Sequence, residues 1–126
     1  MSIIWLIGRV LFGVYFIMVG FNHFSNFQGL KQASQYKKIP MPGTSVIVSG
    51  LMLIIGGATI LTGFYVGLGV LLLVLFLVIS AFTVHNFWTL EDPMQKMGEQ
   101  TQFMKNIALA SVVLMLLQIN DWSWML

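Results

Sequence analysis

The stretch "SVIVSGLMLIIGGATILTGFYVGLGVLLLVLFLVISAFT", residues 45–83, contains no charged side chain. A helix that crosses a bilayer needs about 20 apolar residues, and this stretch holds two such runs, at about 45–61 and 66–83. Only "TGFYVG" separates them, which leaves room for a tight hairpin and makes the two runs antiparallel neighbours. Working outward, a further apolar run covers about 3–21, broken by Arg9 and glycines, and another covers about 103–119. The expected architecture is all-α, an integral membrane four-helix bundle in which residues 1–126 form a single domain.

Composition excludes the main alternatives. Hydrophobic residues make up 58% of the chain and charged residues 8%, against about a quarter charged in soluble domains. Four acids and six bases cannot clothe a water-facing surface. The absence of cysteine rules out disulfides, thiolate metal sites and cysteine nucleophiles. A net charge of +2 carried by scattered bases gives nucleic acid nothing to bind, so the lipid bilayer is the expected partner. The N-terminal run has no basic residue ahead of it and no small-x-small cleavage site before Phe21. It reads as a retained span rather than a signal peptide.

The connection from Asn22 to Gly43 is long. Within "NFQGLKQASQYKKI" (26–39), Phe27, Leu30 and Ser34 fall at spacings of three and four, which predicts a short interfacial helix over about 27–38. Pro40 and Pro42 in "PMPG" end it. Gly13, Gly20, Gly50, Gly56, Gly57 and Ala58 allow close helix approach, either inside the bundle or at a face for a membrane protein partner or a second copy. Trp5, Trp122 and Trp124 are expected at one membrane interface, with Trp88 and Tyr36 at the other. Lys31, Lys37, Lys38, Lys96 and Lys105 fall on the side of the first and third loops. The positive-inside rule then puts those loops in the cytoplasm and both termini outside.

Antiparallel threading also gathers the polar chemistry. His23 follows the first span and His85 ends the third, with Asn22 and Asn86 beside them. Lys105 and Asn106 open the fourth span on the same side, and Trp88, Glu91 and Asp92 lie between. His23, His85, Asn86, Trp88, Lys105 and Asn106 form the candidate ligand-binding set. Their donors suit the carbonyls of a quinone head-group, and imidazole changes charge near neutral pH. The same residues could instead anchor helix ends at the interface. Two histidines could also ligate haem, or a metal with Glu91 or Asp92 as third ligand. Haem ligands usually lie deeper in facing helices, so no tightly bound cofactor or metal is expected, and no catalytic residue is assigned. Arg9 is a separate intramembrane charge, about 9 Å into its span and about 21 Å from His23 along the helix. It either snorkels or faces the bundle to hold a lipid head-group or a partner.

Several segments together carry a resemblance. They are "GRVLFGVYFIMVGFNHF" (8–24), "IPMPG" (39–43), "SGLMLIIGGATILTG" (49–63), "VHNFW" (84–88) with "EDP" (91–93), and "FMKNIALA" (103–110). On these the chain resembles the DoxX family of small bacterial four-helix membrane proteins. The resemblance implies a link to terminal quinol oxidases, to thiosulfate:quinone oxidoreduction and to membrane complexes handling oxidative stress. The motif positions carried over are Arg9, His23, His85, Trp88, Lys105 and Asn106. Two features depart from many relatives: "SGLML" lacks a glutamate early in the second span, and "TGFYVG" lacks a basic residue. The first weakens any proton-handling role, and the second leaves the family analogy pointing to the opposite orientation from the lysines.

The expectation is thus an accessory subunit of the bacterial plasma (inner) membrane, linked to respiratory or quinone-related redox chemistry. It would bind a quinone or lipid head-group at the His/Lys/Trp/Asn lip. The alternative is a structural or assembly subunit of a larger membrane complex. An autonomous enzyme is disfavoured by the lack of cysteine, of a carboxylate in any predicted span and of a nucleotide-binding motif.

Overall fold

A computed structural model describes residues 2–124. The helices are α1 (Ile3–Ser25), α2 (Phe27–Tyr36), α3 (Pro42–Thr62), α4 (Val66–Thr83) and α5 (Pro93–Met115), with single 3-10 turns at Phe87–Thr89 and Leu116–Gln118. α1, α3, α4 and α5 are each long and apolar enough to cross a membrane, and the chain is a four-helix membrane bundle. α2 is the short helix expected over about 27–38, with Phe27, Leu30, Lys31 and Ser34 as its half-buried residues.

Local signals account for the helix ends. The Ser2 hydroxyl accepts the Trp5 N–H at 3.1 Å and starts α1. Gly63, at φ +83°, ends α3 in the left-handed region that a side chain rarely adopts. Asp92 accepts the Gln95 N–H at 3.1 Å, and Pro93 follows as the first helical residue, so "EDP" opens α5. That start lies well ahead of the boundary near residue 103 expected from hydropathy. The first turns of α5 are polar, and capping rather than apolar content sets where the helix begins.

The bundle is built around α3. α1 presents Leu6, Arg9, Gly13, Phe16 and Gly20, alternating at three and four residues, to the α3 face carrying Gly50, Leu53, Gly57 and Ile60. Backbones meet directly along this seam. A methyl group at Gly57 would lie 2.7 Å from the Gly13 carbonyl oxygen, and one at Gly20 would lie 2.8 Å from the Gly50 carbonyl oxygen. The glycines therefore pack inside the bundle. α4 continues on the other side of α3, where Gly56 leaves room for Leu73, and α5 packs on α4 through Asn106, Ala110 and Val113. The row runs α1–α3–α4–α5. Phe16, Leu53, Ile60, Leu73, Leu77 and Val113 close its core.

Candidate functional site

The row does not close on itself at every level. Between its four helices, on the side of α2, lies a cavity of about 680 Å³, within the range of small-molecule pockets at about 300–1,000 Å³. Its walls are mainly apolar, among them Phe16, Val19, Leu53, Phe76, Leu77 and Leu109. The polar side chains lining it include His23, Ser49, Ser80, His85, Lys105 and Asn106. Leu30, Ala33 and Ser34 of α2, with Ile39–Met41 after it, close the end of the cavity that faces the head-group region.

The polar groups come from several elements. The His23 Nδ1 lies 3.1 Å from the Val46 carbonyl oxygen and 3.0 Å from the Ser49 hydroxyl. The Ser49 hydroxyl also reaches the Ser45 carbonyl at 2.7 Å, so it is anchored on its own helix. His85, released from α4 as the helix frays into the 3-10 turn, places its Nδ1 2.8 Å from Glu99 Oε2. It is the one contact between an acidic and a basic side chain within 4.0 Å among the described residues. Carboxylate at Nδ1 favours the tautomer that carries a proton there and leaves Nε2 as the other reactive atom of the ring. Asn106, buried at 3% exposure, donates through Nδ2 to Ser80 Oγ at 2.8 Å and to the Leu77 carbonyl at 3.2 Å. Lys105 has no hydrogen-bond or ion-pair partner among the described residues, although it stands on a membrane-crossing helix.

The arrangement is a shaft rather than a single-level lip. Because α5 begins at Pro93, Asn106 meets Leu77 and Ser80, more than a turn below His85, and Lys105 is equally deep. His23 lies inside the last turns of α1 rather than after it. Of the six residues expected to share a site, His23, His85, Lys105 and Asn106 line the cavity. Asn86 and Trp88 do not. The Asn86 Oδ1 accepts from Lys37 Nζ at 2.8 Å, tying the end of α2 to the connection after α4. Trp88 belongs to an aromatic cluster with Phe82, Phe87 and Phe103, its ring centroids 5.3–6.1 Å from theirs. Glu99 was not among the expected residues; it stands on α5 ahead of the apolar run that begins near residue 103. The signal lay in "EDP": a helix capped there puts Glu99 and Asn106 seven residues apart, on one face. Glu91 is exposed and Asp92 serves as a cap. No group of three His, Asp or Glu side chains placed to hold a metal occurs among the described residues.

A second polar centre occupies the opposite end. Arg9 is 2% exposed, so it does not snorkel. Its Nε donates to the Ile60 carbonyl at 2.9 Å and its Nη1 to the Ser123 carbonyl at 3.3 Å. Ile60 lies in the last turn of α3, where unpaired carbonyls and the helix dipole favour a cation. The guanidinium carbon stands 4.3 Å from the Trp124 ring centroid and 5.2 Å from that of Trp122. These tryptophans, expected as interface anchors, thus also enclose a charge. Gly63 fits under them because a methyl group there would lie 2.8 Å from Arg9 Nη2. In the same turn, the Ser123 N–H donates to Asp121 at 3.0 Å. That bond, with one from the Ser123 side chain, holds the Asp121 carboxyl below the usual carboxylate range.

The DoxX family model matches residues 4–86, well over half of the chain. The chain belongs to the DoxX family. DoxX proteins are small membrane proteins, often associated with redox or quinone-related systems. The match takes in Arg9, His23 and His85 and ends at Asn86, so Glu99, Lys105 and Asn106 lie outside it. No curated protein and no solved structure matches the chain.

Proposed function

We propose that this DoxX protein is an accessory subunit of the bacterial plasma membrane that holds the head-group of a quinone in the cavity between its helices. The observation that carries the proposal is the chemistry of the cavity wall. It is a largely apolar chamber with hydrogen-bonding groups at separate points: the ammonium of Lys105 and the imidazoles of His23 and His85. A quinone ring has an apolar body and two opposed carbonyl acceptors, which such a wall matches. His85, backed by Glu99, is placed to donate to one oxygen when protonated or to accept from the reduced hydroxyl form. The chain has no cysteine to carry electrons, so oxidation and reduction of the bound ring would fall to a membrane protein partner. Residues 1–126 act in this reading as one domain.

Wild-type protein and the His85→Ala and Lys105→Ala variants, extracted from native membranes and analysed for bound quinone, test this. Retained quinone should fall several-fold in both variants. Equal quinone in all three preparations would sink the proposal. Bound phospholipid in place of quinone would assign the cavity to a lipid head-group.

A further inference from the structure

A groove adjoins the cavity where α1 and α5 part. α1 packs on α3 and α5 packs on α4, but no Cα of α5 comes within 8 Å of a Cα of α1. Along this loose seam runs a groove of about 420 Å³, lined by Gly8, Leu11, Phe12 and Tyr15 from α1 and by Lys105 and Leu109 from α5. Tyr15, Lys105 and Leu109 also line the cavity, so groove and cavity adjoin. Gly8 and Leu11 are exposed, and a methyl group added at Gly8 would meet no atom within 4 Å. From Tyr15 to Gly8 the groove follows α1 for about 10 Å away from the histidines. At the other end α2 covers the cavity and is tied down by the bond from Lys37 to Asn86.

From this we infer that the seam between α1 and α5 is a lateral portal, and that the site takes a long-tailed amphiphile from the bilayer rather than a small molecule from water. The head enters beside Lys105, and the apolar tail stays in the groove along Leu11 and Gly8. Lys105 explains the choice of path. It is exposed and lines both groove and chamber, so a polar head passing through the seam meets an ammonium that has no partner of its own. The inference rests on the head-group reading above and adds the tail, its route and the residues that line it.

The test uses two probes, a benzoquinone head without a tail and the same head bearing a long isoprenoid tail. Binding of each is measured to wild type, Gly8→Trp and Gly67→Trp in lipid nanodiscs. Gly67 also has open space around it and lies off the groove, so it controls for adding an indole to the lipid-facing surface. Gly8→Trp should weaken the tailed probe about tenfold, the loss of roughly two methylenes of buried contact. It should leave the tailless probe unchanged, and Gly67→Trp should change neither. Undiminished binding of the tailed probe to Gly8→Trp, with the tailless head still bound, would overturn the portal and leave the head-group reading standing. If neither probe binds wild type, the head-group reading fails and the portal fails with it.

Discussion

Arg9 shows what a single charge needs in order to stay inside a bundle. Its guanidinium is taken out of water and met by a helix-end carbonyl, a second carbonyl and two indole faces, with the Asp121 carboxylate near enough to attract it. A desolvated cation over an aromatic face is worth about 2 kcal/mol. Trp124→Ala should therefore destabilise the protein by about that much, read as thermal unfolding in detergent. The loss should shrink markedly in an Arg9→Met background, where no charge is left to shield. An equal loss in both backgrounds would mean that Trp124 acts through packing alone. The presence of Arg9 was legible in the sequence as an intramembrane charge. Its partners were not, because Ile60, Trp122 and Ser123 lie far from it along the chain and only folding brings them round it.

At the scale of the element, the α1–α3 pair depends on contact between bare backbones. Lipid tails are as apolar as leucine, so water exclusion does not hold these helices together and close packing does. A methyl group at Gly57 would press on the Gly13 carbonyl oxygen at 2.7 Å and the Ile17 amide nitrogen at 3.0 Å, neither of which is a flexible side-chain end. Gly57→Ala should cost about 1–3 kcal/mol, the usual penalty for overpacking. At Gly67, with open space around it, alanine should cost nothing, and its helix propensity should help by up to about 1 kcal/mol. Thermal unfolding followed by circular dichroism compares the two, and similar melting for both variants would contradict the seam described here. The spacing of small residues announced close packing. Which glycine meets which helix needed the register between α1 and α3.

At the scale of the molecule, four crossings place both termini on one side of the membrane and the α2 and α4–α5 connections on the other. Lys31, Lys37, Lys38 and Lys96 all belong to that second side, which the positive-inside rule predicts to be cytoplasmic. The chain contains no native cysteine, so single substitutions report cleanly. In intact spheroplasts an impermeant maleimide should label Ser2→Cys and leave Gln32→Cys unlabelled until the membrane is opened. The reverse pattern would establish the orientation suggested by DoxX relatives with a basic second loop.

The number, type and order of the membrane helices were determined by the sequence itself. Whether a run of residues is apolar and long enough to cross a hydrocarbon layer about 30 Å thick is a property of that run alone. Family membership and the gathering of His23, His85, Lys105 and Asn106 at one end of the bundle were legible for the same reason, since they follow from span order and motif. Tertiary structure alone decided the rest. It turned Asn86 to Lys37 and Trp88 to its aromatic neighbours, paired Glu99 with His85, and opened the seam between α1 and α5. Those outcomes depend on how far each helix is rotated about its axis and how deep it starts. Packing against neighbouring helices sets both, and an apolar run does not encode them by itself.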